Sequence, residues 1–350
     1  MKKTITAQEF VGIFESDGNI SFYLQVVSAK TGGFKMSVNL NFIISQAKAN
    51  IDLLDEVKRF AGGGTIKTRR ARPNTNEQEG GQLIINAQSE EGKKILQVFK
   101  DYPLKLKRVA RDLEVLKAII AVRGNNRVLT ARQKAMILLL SYQNSSQIQP
   151  NSTVIKKRPI FELKDKLALT KTDFKDGWAE IKRDYLPKII EAEIVTKQKI
   201  SDEYFRGFFI GDGELGISYQ SSATSCTPTF KFTITDSDKE FLLSIKEKLG
   251  CGQVEKEQNN AFQFRIQSKE QIAEKIFPIL SDGYLPSGRQ KAFDIFKEAY
   301  LMSLTDDIKT KDGWERFVEL TYALNLEGSR RKKTIEEFIS LGDILENNED

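Results

Sequence analysis

Apolar and polar residues alternate strictly over four stretches of the chain, and each stretch predicts a half-buried β-strand. Ile20, Phe22, Leu24 and Val26 interleave with Asn19, Ser21, Tyr23 and Gln25; Phe34, Met36, Val38, Leu40 and Phe42 interleave with Lys35, Ser37, Asn39 and Asn41. Further on, Leu215, Ile217 and Tyr219 face away from Gly216, Ser218 and Gln220, and Phe230, Phe232 and Ile234 face away from Lys231, Thr233 and Thr235. One side of each strand is core. The other carries amides, hydroxyls and lysine.

The four strands form two pairs, and the segments after each pair also match. NFIISQAKANIDLLDEVKRFAGGGTI (41–66) and KFTITDSDKEFLLSIKEKLGCGQV (231–254) both read as strand, polar turn, helix, glycine turn, strand. INAQSEEGKKILQVFKDYPLKLKRVARDL (85–113) and FRIQSKEQIAEKIFPILSDGYLPSGRQKAFDI (264–295) share a Gln-Ser helix start and a basic start to the following helix. The ends correspond as well, LLLSYQN at 138–144 with ELTYALN at 319–325. Such a repeat has to be recognised before any fold is named. It divides the chain into a first domain at 1–144, a linker at 145–200, a second domain at 201–325 and a tail at 326–350. The linker opens with the polar loop signal NSSQIQPNS and continues with helix-like stretches, which predicts an ordered strap.

Each repeat opens with a nine-residue helical motif, FVGIFESDG at 10–18 and FRGFFIGDG at 205–213. Gly12 with Ser16, and Gly207 with Gly211, are small residues spaced i,i+4, so two such helices can approach closely along one face. Packed about a twofold axis, both helices end at the same place and bring Asp17 and Asp212 together, each before a helix-ending glycine. Two carboxylates at helix C-termini repel one another and the helix dipoles. A hard divalent ion such as Mg²⁺ resolves that conflict and, placed against a phosphodiester, activates water without histidine.

Composition narrows the chemistry. The chain has 350 residues, 40% of them hydrophobic, which is enough for two modest cores. No apolar run approaches the roughly 18 residues needed to span a bilayer and no signal-peptide pattern opens the chain, so an intracellular protein without a membrane partner is expected. There is no histidine, which excludes a Ser-His-Asp triad and any histidine base, and Cys226 and Cys251 alone make neither a disulfide framework nor a zinc site. The net charge of +6 and a pI near 9.0 suit an anionic partner. Later strands add Lys67, Arg69, Arg70 and Arg72 in one half, and Gln263, Arg265 and Gln267 in the other. Arg, Lys, Asn and Gln read base edges and hold phosphates. The expected nucleic-acid face therefore comprises Ser21, Tyr23, Gln25, Lys35, Ser37, Asn39, Asn41, Lys67, Arg69, Arg70 and Arg72, and Ser218, Gln220, Lys231, Thr233, Gln263, Arg265 and Gln267. The charge runs Lys156–Arg158 and Arg330–Lys333 read as solvated surface.

Together the two motifs, with their third-position glycines and final acid-glycine pairs, resemble the LAGLIDADG homing endonucleases in their single-chain, two-motif form. The resemblance spans both repeats. It implies an α+β fold of two pseudo-twofold-related αββαββα domains, each with a saddle-shaped antiparallel sheet, and motif helices at the interface. It also implies a monomer that cuts both strands of double-stranded DNA at a long site of the intron homing type, with Mg²⁺ or Mn²⁺, and with Ca²⁺ binding but not supporting efficient cleavage. Carried over, the metal-binding acids fall on Asp17 and Asp212. Gln46 matches a polar active-site position whose repeat partner is Asp236. Lys107, in LKLK, and Arg289, in PSGR, match the basic residue near the scissile phosphates. Arginine neutralises phosphate but does not serve as a proton-transfer base, and if that departure matters the two strands are cut at unequal rates. Ile210 replaces Glu15 at the sixth motif position, so no chemistry common to both halves is expected there.

Eight strand residues span about 26 Å, or near eight base pairs, so two sheets would cover at least about sixteen. Unlike side chains on the two faces predict an asymmetric target. A splicing cofactor that binds intron RNA, and a DNA-binding protein that has lost cleavage, remain open alternatives on the same fold. An organellar or microbial setting follows from the resemblance alone.

Overall fold

The computed structural model describes residues 4–28, 34–70, 79–124, 128–141, 164–194, 199–221, 226–257, 261–324 and 334–340. The first half runs α1 (Ala7–Asp17), β1 (Gly18–Ser28), β2 (Phe34–Ala47), α2 (Asp52–Ala61), β3 (Thr65–Arg69), β4 (Gly80–Asn86), α3 (Glu90–Asp101), α4 (Lys107–Arg123) and α5 (Ala131–Ser141). Two helices follow, α6 (Lys171–Asp184) and α7 (Leu186–Ile194). The second half repeats the plan with α8 (Asp202–Asp212), β5 (Gly213–Ser221), β6 (Cys226–Asp236), α9 (Lys239–Leu249), β7 (Gln253–Lys256) and β8 (Phe262–Ile266). It continues with α10 over 269–281, which contains a π turn at Ile272–Ile276, then α11 (Ser287–Met302), α12 (Lys311–Ala323) and α13 (Ile335–Ile339). The fold is α+β.

Each half holds one antiparallel four-stranded sheet, in the order β1-β2-β4-β3 and β5-β6-β8-β7. Register follows the alternation, with Ile20 opposite Phe42, Phe22 opposite Leu40 and Leu24 opposite Val38. The apolar sides are covered by helices. Phe10 and Phe14, one turn apart on α1, pack with Phe42 of β2 and Phe99 of α3; Phe205 and Phe209 of α8 stack on Phe232 of β6. Phe34 departs from its expected burial and is 48% exposed at the strand end. The glycine turns after α2 and α9 use left-handed backbone, Gly62 at φ 91° and Gly250 at φ 67°, which caps each helix at low steric cost.

Capping starts the motif helices. Thr6 accepts from the Glu9 N–H at 3.2 Å while the Glu9 carboxylate accepts from the Thr6 N–H at 2.6 Å, and Ser201 caps α8 by accepting from Tyr204 N at 3.1 Å. The two helices then pack backbone against backbone. A Cβ on Gly12 would lie 2.3 Å from the Tyr204 carbonyl oxygen, and one on Gly207 2.1 Å from that of Glu9. Ser16 folds its hydroxyl back onto the Gly12 and Ile13 carbonyls and fills the space opposite Gly211. The helix-ending glycines are not left-handed caps, since Gly18 and Gly213 are extended at φ −90° and −82°. Their requirement is steric, because a Cβ would strike the Phe14 carbonyl and ring or the Phe209 ring.

Beside the glycines two buried polar ties cross between the halves. Arg206 donates to Glu9 at 2.5 Å and to the Ile279 carbonyl at 2.7 Å, and the Tyr204 hydroxyl donates to Glu15 at 2.7 Å. The motif alignment gives Arg206 the place of Val11 and Glu15 that of Ile210, so neither tie has a twofold copy.

The described part of the linker lies on the first half, α6 against α5 and α7 against α4. An Arg132–Glu180 ion pair at 2.6 Å and the close fit of Gly177 to Met136 hold it. At the other end α13 closes over α12, with Trp314 Nε1 donating to the Phe338 carbonyl at 3.0 Å. The runs Lys156–Arg158 and Arg330–Lys333, and the NSSQIQPNS loop, lie outside the described residues. No helix among the described residues is long and apolar enough to cross a membrane.

Candidate active site

Asp17 and Asp212 are the last residues of α1 and α8, and the close glycine contacts carry both helices to the same end of their interface. Asp17 Oδ2 lies 2.8 Å from where a Cβ on Gly211 would stand, so its carboxylate sits on the other half's helix. The buried Gln46 of β2, 5% exposed, donates its side-chain N–H to the same oxygen and fixes the carboxylate's orientation.

Desolvation raises the Asp17 pKa to about 6 against the opposing Gln46 hydrogen bond and Arg289 charge. Asp212 is raised to about 7 by desolvation, then by the negative charges of Asp17 and Asp236, with Arg289 and Arg108 opposing. Asp212 is exposed in the groove, so water screens part of this push. Asp236, the last residue of β6, is likewise raised by desolvation, and its Oδ1 accepts from the Asp238 N–H at 2.6 Å. Three carboxyls thus share a small region, opposed by the charges of Arg289 and Arg108.

The basic residues divide unequally. Arg289, on α11, turns its guanidinium onto the end of α8: Nε donates to the Ile210 carbonyl at 2.9 Å, Nη1 to that of Gly213 at 2.8 Å and Nη2 to that of Gly211 at 2.7 Å. It also lies over the Phe209 ring. One N–H from each of its three nitrogens, three of five in all, is thus taken by carbonyls at the end of α8 and the start of β5. Its charge still faces Asp17 and Asp212. Lys107, the first residue of α4, is half-buried and has no hydrogen bond or ion pair among the described residues. Next to it, the exposed Arg108 acts electrostatically on Asp212 and Asp236 of the other half. Sequence reasoning missed Arg108, although its place beside Lys107 at a helix start was a usable signal.

The polar sheet sides run outward from this centre. In the first half Ser21, Tyr23 and Gln25 of β1 pair in register with Asn41, Asn39 and Ser37 of β2, and Lys35 pairs with Val27. Tyr23 is 42% exposed and accepts from Gln25 at 2.7 Å. Lys67 pairs with Gln82 and Arg69 with Gly80, which places both on this side. Arg70 follows the end of β3 at the opposite alternation, and Arg72 lies outside the described residues. The register adds Ser45 and Gln82, joined at 3.0 Å, and Asn86, which alternation along β2 and β4 could have identified.

In the second half Ser218 lies opposite Thr229, Gln220 opposite Thr227, Thr233 opposite Arg265 and Lys231 opposite Gly216, with Gln263 opposite Thr235. Arg265 is tied to Glu255 at 2.7 Å, and Gln267 follows the end of β8. The second face carries Glu214 and Glu255 and is the less basic of the two.

The sequence profile of the LAGLIDADG endonuclease family matches residues 10–120 and 205–300. No curated protein matches the chain by sequence. Among solved structures, the fold is similar to that of the I-SmaMI LAGLIDADG homing endonuclease bound to cleaved DNA, at 20% identity and a TM-score of 0.71, covering 94% of this chain and 100% of that one. I-SmaMI bound to uncleaved DNA target in the presence of calcium ions gives 20% identity and 0.68 over 92% and 99%. The LAGLIDADG meganuclease I-CpaMI bound to uncleaved DNA gives 17% and 0.69 over 92% and 100%.

Proposed function

We propose that this chain, which belongs to the LAGLIDADG endonuclease family, is a monomeric, site-specific DNA endonuclease that hydrolyses one phosphodiester on each strand of a long asymmetric target. The observation that carries this reading is the meeting of Asp17 and Asp212 at the ends of two helices in backbone contact, between two sheets that each present a polar side. The reading extends to homing of an intron-type element, to an organellar or microbial setting, and to the division at 1–144, 145–200, 201–325 and 326–350.

The donor set fits a hard divalent cation such as Mg²⁺. Asp17 and Asp212 are oxygen donors whose protons are retained to about 6 and 7, chiefly because burial disfavours the charged form, and a cation between them would favour that form. Among the described residues no group of three or more His, Cys, Asp or Glu forms a self-sufficient metal cluster, so Asp17 and Asp212 would hold such an ion together with oxygens of phosphate and water. When bound, the ion polarises the phosphodiester and makes water a better nucleophile.

The chain's own groups do the remainder. Gln46 holds the Asp17 carboxylate toward the helix interface. Lys107 and the exposed Arg108 offer positive charge for the phosphate oxygens. Arg289 fixes the end of α8 and supports Asp212 electrostatically. The polar sheet sides hold the duplex in register, phosphate contacts positioning and base-edge contacts selecting.

The test is incubation of the purified protein with a randomised double-stranded DNA library in Mg²⁺ and, in parallel, Ca²⁺, followed by sequencing of cut and bound molecules. Enrichment of one long cut sequence in Mg²⁺ is expected. Absence of any cut or bound sequence in either ion overturns the reading.

A further inference from the structure

Glu15 is a fully buried carboxyl that the reading above leaves without a task. Three donors converge on it: the Lys105 and Leu106 backbone N–H groups reach Oε1 at 2.7 and 2.6 Å, and the Tyr204 hydroxyl reaches Oε2 at 2.7 Å. Burying a carboxyl is costly unless it is well bonded, and Ile210 fills the matching place on α8 without one. The helix interface therefore does not itself require an acid at this position. The side chain connects three things. It lies two residues before Asp17, it bonds a tyrosine of the opposite half, and it grips the two residues that lead directly into α4.

Leu106 is the N-cap residue of α4 and gives that helix no side-chain cap. The Glu15 bonds to Lys105 and Leu106 thus set where the helix begins and hence where Lys107 and Arg108 stand. The second half solves the same problem with other groups. Arg289 itself reaches back from α11 to the α8 carbonyls, and Asp52 of the first half accepts from the Ser287 N–H at 2.8 Å and hydroxyl at 2.6 Å. In that half three of the arginine's N–H donors are taken by the tie, whereas in the first half Glu15 makes the tie, Lys107 keeps no hydrogen bond or ion pair among the described residues, and Arg108 is exposed beside Asp212 and Asp236.

We propose that Glu15 is a positioning residue, which holds the start of α4 so that Lys107 and Arg108 address the phosphate of one strand, and that the two cutting centres are chemically unequal for this reason. The inference rests on the endonuclease reading and assigns Glu15 to one centre only. Removing its side chain then impairs one strand and spares the other, which a general loss of interface packing does not do.

The experiment uses the full chain and a plasmid carrying the target recovered from the library, with each strand labelled separately. Glu15→Ala is expected to slow one strand at least tenfold, the same strand that Lys107→Met slows, and to leave the other within about twofold. Glu15→Gln, whose amide oxygen still accepts from both N–H groups, is expected to restore that strand to within about threefold of wild type. Should Glu15→Ala fold poorly, Tyr204→Phe removes the hydroxyl donor alone and is expected to bias the same strand more weakly. Equal slowing of both strands, slowing of the strand that Lys107→Met spares, or failure of Glu15→Gln to rescue overturns the proposal while leaving the nuclease reading intact. Hydrogen exchange at the Lys105 and Leu106 amides supplies a readout independent of cleavage, with protection in wild type and its loss in Glu15→Ala expected. Unprotected amides in wild type refute the tie.

Discussion

Replacing Gly207 by Ala tests the contact on which the site depends. The new Cβ would sit 2.1 Å from the Glu9 carbonyl oxygen and 2.8 Å from its carbonyl carbon and Cα. Ordinary contact begins near 3.4 Å, so α1 and α8 must separate locally by about 1.3 Å. In an isolated helix Gly→Ala gains about 1 kcal/mol of propensity. Here the obstacle is backbone on both sides and cannot rotate away, so overpacking costs about 3 kcal/mol or more. The net expectation is a loss of about 2 kcal/mol, which lowers Tm by about 3 °C in a chain of this size. Cleavage falls further than stability, since a displacement of about 1 Å between reacting groups costs on the order of a hundredfold. Calorimetry and plasmid linearisation at a temperature where the variant remains folded separate the two effects. Gly216→Ala is the control, because a Cβ there meets nothing within 4 Å; its Tm is expected to equal or exceed that of wild type. A Gly207→Ala variant as stable and as active as wild type would refute the backbone contact.

Asp17→Asn or Asp212→Asn is expected to abolish double-strand cleavage while DNA affinity, measured in Ca²⁺, stays within about tenfold or improves, because repulsion of phosphate is reduced; cleavage at the wild-type rate would sink the metal assignment. Folded pKa values of about 7 for Glu15, about 6 for Asp17 and about 7 for Asp212 lie above their ordinary values. The folded state therefore holds extra protons, and stability from these groups, full below about pH 4, is lost as pH rises through 6 to 7. Without divalent ions Tm should fall between pH 5.5 and 8, less so in Asp212→Asn, with Ca²⁺ opposing the fall; a variant that follows wild type in parallel contradicts the assignment. Arg206→Met strands the buried Glu9 carboxylate and should cost about 3 to 5 kcal/mol in denaturant unfolding, much of it recovered in the Glu9→Gln, Arg206→Met double variant. If the single variant unfolds with wild type, the pair contributes nothing. Binding to the selected target should weaken steeply between 50 and 200 mM salt, and a flat response would remove the basic faces from the interface.

Much of this architecture is local and so was legible in the chain. Alternation from Ile20 to Val26 and from Phe230 to Ile234 fixed which side of each strand is core, because the side-chain period of a strand is two whatever surrounds it. Duplication of FVGIFESDG as FRGFFIGDG indicated a twofold arrangement, and the small residues Gly12, Ser16, Gly207 and Gly211 identified the contacting faces. Both acids at the motif ends followed from that arrangement. Tertiary structure alone decided how the cations are used. Arg289 is committed to the α8 carbonyls and Lys107 is not, Arg265 is neutralised by Glu255, and Arg108 reaches acids of the opposite half. It also decided that Gly18 and Gly213 are required by the neighbouring phenylalanines rather than by a left-handed turn. Those outcomes depend on where a long side chain meets groups far away in sequence, such as Glu15 with Lys105, Leu106 and Tyr204. Periodicity assigns a residue to a face but cannot say which distant partner occupies it, and at this site the partner sets each charge's role.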